Sequence, residues 1–307
     1  MTVSIKQELC RACGICGEVC PRHIPVIVET DGLKATVISP ERADLCLECG
    51  HCAAVCPQDA VEIECFSRRE FEPASGTGID SDQLLSLVRE RRSVRRYRDE
   101  PVPREVIDRM IEAAGSSPTG TGSMTTGVIV IDEKETLAAL SELAYRMYEG
   151  LEKGLKNPVA RFFIRRRAGE KRLRTLQDFV MPGMHWYIRW YREGKSNEIF
   201  RDCPALVLFH SPVFEPSGEE NCLLAAFHAV MMAQTMDLGT CLNGLIPPAC
   251  NRVPEIRKLI GLPEGREVYA SITMGFPKYP FRRIVPRDLE EVRYLSGDLE
   301  PGSGREM

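Results

Sequence analysis

The chain of 307 residues is short of several things, and each shortage narrows what it can do. It has no long apolar run. The longest, CLLAAFHAVMMA from Cys222, is about a dozen residues and contains His228, too short and too polar to cross a bilayer. The opening stretch, MTVSIKQELC, has no apolar core of the kind that drives secretion, so a cytoplasmic location is expected. There is no excess of basic charge: the formal net charge is −4, which argues against a nucleic-acid partner. There is also no G-x-G-x-x-G. The nearest stretch, GTGSMTTG from Gly120 to Gly127, has Thr125 where the pattern needs glycine and follows a helical segment instead of opening one. A nicotinamide-binding Rossmann unit is therefore not expected.

Cysteine, by contrast, is plentiful, with thirteen in the chain. Without an export signal, metal-bound thiolates are favoured over disulfides. Eight of the cysteines fall in two copies of C-x2-C-x2-C-x3-C-P: Cys10, Cys13, Cys16 and Cys20 before Pro21, then Cys46, Cys49, Cys52 and Cys56 before Pro57. Zinc sites use two separated C-x2-C pairs per ion, which is a different pattern. Three closely spaced thiolates grip one 4Fe–4S cluster, and the fourth, before proline, reaches the other. Cys10, Cys13, Cys16 and Cys56 are thus assigned to one cluster, and Cys46, Cys49, Cys52 and Cys20 to the second. Residues 1–66 resemble a bacterial two-cluster ferredoxin. The remaining cysteines, Cys65, Cys203, Cys222, Cys241 and Cys250, are scattered and read as small buried hydrophobes.

Residues 67–80 are polar and rich in turn formers, and read as a linker. Asp80 and Gln83 form a helix-capping pair before QLLSLVRERRS. PREVIDRMIEAAG carries Val106, Ile107, Met110, Ile111 and Ala114 on one helical face. GVIVID (127–132) and PALVLFH (204–210) read as buried strands, and EVYASITMGF as a strand with one buried face through Val268, Ala270, Ile272 and Met274. Strands and helices mix without a regular βαβ rhythm, so the fold class is α+β.

The stretch RERRSVRRYRDEPVPREVIDRMIEAAGSSPTG resembles the N-terminal signature of the FMN-dependent nitroreductase family. FRDCPALVLF, MDLGTCLNG, LIGLPEG and MGFPKYPFRRIVPRD follow in that family's order. The resemblance implies a nitroreductase-like flavoprotein domain over 81–307, with a variable insertion at about 150–198. It implies that Arg91, Arg92, Ser93 and Arg95 bind the FMN phosphate, with Arg283 or Arg287 helping. Arginine forks suit such an anion. It further implies that Pro118, Thr119 and Gly120 lie along the flavin ring and that backbone amides near Asn243 and Gly244 face its reactive nitrogen. Two departures stand out: Gly122 and Met124 occupy places where the family commonly has Asn and Gln. In the insertion, Trp186, Tyr187, Trp190 and Tyr191 are candidates for a substrate wall and His185 for a proton donor. The alternative is an amphipathic helix packed on the body.

The expected function follows from the two parts together. Electrons from a low-potential donor such as a ferredoxin pass singly through two 4Fe–4S clusters to FMN, which bridges one- and two-electron chemistry. They leave as a hydride to a small aromatic or conjugated molecule, such as a nitro compound or quinone. An electron-transfer relay serving a partner enzyme, with no small substrate of its own, is the alternative. Family likeness adds a homodimer whose seam is the apolar helix from Glu219 to Leu238, and oxygen-sensitive clusters suggest an anaerobic cytoplasm.

Overall fold

The repeat in the sequence is a repeat in the backbone. In the computed structural model, residues 3–66, 71–74, 76, 78–120 and 122–295 are described. The first copy holds Ala12, Gly14 and His23 at positive φ (52°, 81° and 50°), and the second holds Glu48, Gly50 and Asp59 at 54°, 79° and 49°. Each copy therefore loops back on itself and opens a single helical turn, α1 (Ile15–Glu18) or α2 (His51–Ala54). Around these turns, β1 (Val3–Ile5) pairs antiparallel with β4 (Val61–Ile63), and β2 (Pro25–Thr30) with β3 (Leu33–Ile38). Asp31 and Gly32 close the second hairpin with both φ angles positive, as a primed two-residue turn requires. The core of this unit is small: Val3, Ile24, Val61 and Ile63, with Cys16 and Cys52.

The expected linker, 67–80, lies partly outside the described residues. Beyond it, α3 (Ser81–Glu90) opens with the predicted capping box, in which Gln83 N donates to Asp80 Oδ1 at 2.8 Å and Asp80 N to Gln83 Oε1 at 3.3 Å. Next come α4 (Arg104–Gly115), β5 (Gly127–Ile131), α5 (Lys134–Lys156), α6 (Pro158–Ala168), α7 (Glu170–Thr175) and α8 (Met181–Arg192). They are followed by β6 (Ala205–Pro212), α9 (Gly218–Gln234), β7 (Gly239–Leu242), α10 (Ile246–Arg252), α11 (Pro254–Leu259) and β8 (Arg266–Gly275). One antiparallel sheet, in the order β5-β6-β8-β7, organises them.

β6 is buried along its whole length. Leu206 and Leu208 join a core with α5, α8, α10 and α11, while Ala205, Val207 and Phe209 join a second core with α4 and α9. The fold is thus a sheet between two helical layers, the α+β arrangement expected. Three details differ from expectation. β5 is an edge strand and is only half-buried. β8 is buried on both faces: Ser271 and Thr273 are as enclosed as Ile272, because helices cover the sheet on each side. Cys65 is exposed, unlike the buried Cys203, Cys222, Cys241 and Cys250.

Phe209 is fully enclosed at the centre of the sheet. Phe209→Ala is expected to cost about 3–5 kcal/mol, read as a lowered denaturant midpoint with the slope unchanged.

Candidate functional site

The eight repeated cysteines do not gather as two sequence-local sets. One cavity, with some 400 Å³ of atom-free space, is lined by Cys20, Cys46, Cys49 and Cys52. The other, with some 360 Å³, is lined by Cys10, Cys13, Cys16 and Cys56. The fourth cysteine of each run has crossed to the other nest. Among the described residues, no three Cys, His, Asp or Glu side chains converge as a single ion would demand. The thiols ring a hole instead, which suits a cage of several metals better than one zinc.

Backbone N–H groups aim at the sulfurs with the same periodicity. Ala12 N and Glu48 N donate to Cys10 Sγ and Cys46 Sγ at 3.4 Å, and Ile24 N and Ala60 N to Cys20 Sγ and Cys56 Sγ at 3.5 and 3.4 Å. Such bonds stabilise thiolate charge and tune a cluster's potential. Burial pushes the thiols of Cys16 and Cys52 up, Cys52 to about 11, so a thiolate is comfortable here only against positive charge. Thr36 lines the Cys10 nest with its hydroxyl oxygen buried and unpartnered among the described residues. A buried hydroxyl of that kind fits a sulfide acceptor.

The second assembly is basic. Segment 93–98 is stitched between β7 and the chain after β8: Val94 N donates to Thr240 O at 2.8 Å, Arg98 N to Phe276 O at 2.8 Å, and Lys278 N to Arg96 O at 3.0 Å. Tyr97, buried within a run of arginines, sets its hydroxyl 2.8 Å from the Val94 and Thr273 carbonyl oxygens. Gly239 is obligatory at this crossing, since a Cβ there would stand 2.8 Å from the Val94 side chain. Immediately before the stitched segment, Arg91 caps α3. Its guanidinium is held below the usual arginine range by burial and by the neighbouring charges of Arg287 and Arg92. Arg92 leaves Nε buried without a partner and reaches Val285 O at 3.3 Å. Arg92 and Arg283 line one cavity, with some 1040 Å³ of atom-free space. Three arginines crowded together with a spare donor have the chemistry that suits a multiply charged anion.

The third assembly is the loop after α4. Pro118, Thr119 and Gly120 are fixed against α9: Gly120 N donates to Asn221 Oδ1 at 2.8 Å, and a Cβ on Gly120 would meet Ser217 Oγ at 2.5 Å. Asn221 is fully buried, with Nδ2 unpartnered among the described residues. The far end of the loop is braced by Arg266, which donates from Nε to His210 Nδ1 at 2.6 Å and from its amino group to the Thr125 carbonyl. Thr125 Oγ1 donates to Glu215 at 3.1 Å.

Not every expected residue joins these groups. Arg95 is exposed, with only a long 3.5 Å contact to Ser93 O. Asn243 N–H is spent on Ser271 O at 2.9 Å and its side-chain amide donates to Ile199 O, while the neighbouring Gly244 is exposed. His185 stands exposed on α8, bonded to Glu152 at 2.9 Å. α8 buries Met181, Met184 and Ile188 while Trp186 remains half-exposed, the pattern of an amphipathic helix packed on the body. Tyr191 stacks on buried Tyr145 with ring centres 3.8 Å apart. Sequence reasoning passed over Tyr97, Thr36 and the Asn221 clamp. A tyrosine inside RRSVRRYR and an asparagine opening an apolar helix were the available signals.

The Nitroreductase family model matches residues 88–276, and the 4Fe-4S dicluster domain model matches residues 3–60. Iodotyrosine deiodinase 1 of Rattus norvegicus is 24% identical over 72% of this chain and 70% of its own length. A putative NADH dehydrogenase/NAD(P)H nitroreductase of Methanothermobacter thermautotrophicus is also 24% identical, over 65% of this chain and 80% of its own. A nitroreductase of Desulfitobacterium hafniense crystallised with bound FMN shares the fold. Its TM-score is 0.51 at 18% identity, covering 69% of this chain and 97% of that one.

The bracing of the 118–127 loop makes a pH prediction. Arg266 is always a donor, so His210 Nδ1 must accept, and a proton there would place two cations in contact. Burial, and then Arg266, push His210 down to about 4. The unfolded histidine protonates near 6.5, so this stabilisation is complete above 6.5 and is lost as pH falls toward 4. It amounts to at most about 3 kcal/mol. His210→Gln, whose carbonyl can still accept from Arg266, is expected to flatten the decline in urea midpoint between those pH values relative to the unmodified chain.

Proposed function

The chain belongs to the nitroreductase family and carries a 4Fe–4S dicluster domain, and from that premise we propose that it is an FMN oxidoreductase fed through its own clusters. The observation that carries this reading is the crossed lining of the two cavities, Cys10, Cys13, Cys16 and Cys56 in one and Cys20, Cys46, Cys49 and Cys52 in the other. Each nest would hold one 4Fe–4S cluster, with backbone N–H groups and Thr36 supporting its sulfurs. Arg91, Arg92 and Arg287, with Ser93 and Arg283 beside them, would hold the FMN phosphate. Pro118, Thr119 and Gly120 would lie along its ring, and the exposed backbone at Gly244 would face it.

When bound, these groups accept single electrons from a low-potential donor of ferredoxin type and deliver them in pairs as a hydride. The protein's part is to hold them, to fix charge on the phosphate, and to keep the 118–127 loop rigid beneath the ring. The substrate class is a small conjugated or aromatic molecule, in keeping with relatives named for nitro compounds and iodotyrosine. A second copy would cover the apolar faces of α3 and α9.

Anaerobically purified protein should contain about eight irons and one FMN per chain. Cys13→Ser should abolish flavin bleaching by a reduced ferredoxin while FMN stays bound. Arg91→Gln should do the reverse, losing FMN and keeping iron. Unchanged bleaching in Cys13→Ser would sink the reading.

A further inference from the structure

Resting on that reading, we propose that Gly122 is the positioning residue that seats the Cys20/Cys46/Cys49/Cys52 nest against the flavin-side loop, and that this nest is where electrons leave the dicluster unit. Gly122 sits at φ +69°, and a Cβ built on it would stand 3.1 Å from Cys49 Cβ and 3.7 Å from Leu47 Cβ. Cys49 and Leu47 both line that nest. The glycines of the other nest meet only their own unit: Gly14 approaches Ile27, and Gly17 approaches the Pro25 carbonyl. Among these glycines, the close approach across the seam, of loop backbone to side chain, therefore occurs at the second copy of the cysteine motif.

The loop cannot back away from this contact. Gly122 N donates to Thr119 O at 3.3 Å, Gly120 is clamped by Asn221 and Ser217, and the Thr125 carbonyl is held by Arg266. The chain leaving the dicluster unit also folds over the same turn. Phe66 and Phe71 pack edge to face at 5.6 Å, and a Cβ on Gly50 would meet Phe66 at 3.2 Å and Phe71 at 3.8 Å. Residues 46–50 are thus covered from two sides, by the flavin-side loop and by two aromatic rings. The Cys10/Cys13/Cys16/Cys56 nest is left as the entry side.

The electron balance is simple. With its clusters bound, the entry nest would hold the group that takes one electron from a reduced ferredoxin, and the exit nest would hold the group that hands it across the Gly122 seam. Two passages, with one proton taken from water, load the electron pair that leaves as a hydride. A Cβ at position 122 would press on Cys49 and force a shift of a few tenths of an ångström, and the positive φ there adds a second reason for glycine.

The test compares Gly122→Ala with Gly32→Ala in the holoenzyme. Both glycines have positive φ, so alanine brings similar backbone strain at either, but a Cβ at Gly32 (φ +74°) meets nothing within 4 Å. Alanine adds the Cβ alone, without the amide that the family commonly carries at the first position, so the variants differ in the contact with Cys49 and Leu47. Three readouts are needed: iron and FMN content, hydrogen exchange of the amides at 46–50, and anaerobic stopped-flow bleaching of flavin by a reduced ferredoxin. Gly122→Ala should keep both cofactors, exchange faster at 46–50, and bleach more slowly. Gly32→Ala should match the unmodified protein in all three. The proposal is overturned if Gly122→Ala bleaches at the unmodified rate, or if Gly32→Ala slows as much. If the unmodified protein is not bleached at all, the cluster-fed reading itself fails, an outcome separate from either of these.

Discussion

Two bound redox groups exchange electrons only as well as the protein lets them approach, and the approach proposed for this chain runs through one close packing contact. At Gly122 there is no Cβ, and one placed there would stand 3.1 Å from Cys49 Cβ. Everything around the contact resists its opening. Asn221 is fully buried and holds Gly120, so releasing the loop would leave a further polar group of Asn221 without a partner. At the other end, Arg266 holds the Thr125 carbonyl while His210 accepts from the same guanidinium. A loop on a flavoprotein body is ordinarily the part most free to move. Here it is clamped at both ends, which is what the proposed relay would need.

The dicluster unit has a different source of stability. Its apolar core amounts to Val3, Ile24, Val61, Ile63 and two cysteines, far too little to fold so short a segment alone. Five non-glycine residues at positive φ add strain instead of relieving it. Burial raises the Cys16 and Cys52 thiols, one in each nest, so at those positions a thiolate needs positive charge beside it. Metal binding and folding are then one event, as in other small metal-centred units. The larger unit needs no such help, because β6 is buried on both faces between two helical layers.

How much of this was legible in the sequence depends on whether the signal was local. The cysteine runs gave the crossed nests, since a fixed spacing and a following proline fix which way each thiol points. The capping pair Asp80–Gln83 was legible for the same reason: its geometry closes within one turn. The basic run before β5 pointed to an anion site, yet nothing local distinguished half-buried Arg91 from exposed Arg95. The charge that crowds Arg91 after its own burial is that of Arg287, almost two hundred residues away. Asn243 looked available because its partners, Ser271 and Ile199, are also distant. Gly122 was visible as a departure from the family loop, but its reason lies in Cys49, on another unit of the chain. The one-faced reading of β8 failed on Ser271 and Thr273 because strand alternation shows polarity, and polar side chains can be buried when they are bonded to neighbouring strands and loops.

The apolar helix α9 shows how one sequence pattern can serve two surfaces. Read end to end it is apolar nearly all round, which is compatible either with a core or with a contact between subunits. The structure divides it. Cys222, Ala225, Ala226, Ala229, Val230 and Ala233 enter the core beneath the sheet, where small residues allow α4 to approach closely. Leu223, Leu224 and Phe227 point away and remain exposed. Beside them, α3 buries none of its residues and exposes Leu84, Leu85 and Val88. The large side chains are thus on the outside and the small ones inside, the inverse of what a helix serving only its own domain would select. Six exposed aliphatic or aromatic side chains on two neighbouring helices are costly to leave in water. The capping box fixes where α3 begins without giving it a core to pack on, so its order depends on what covers that face. A second copy of the chain, bringing the same face about a twofold axis, would cover α3 and α9 together. It would also add rigidity at the N-terminal end of α9, where Asn221 and Ser217 hold the loop that carries Gly122.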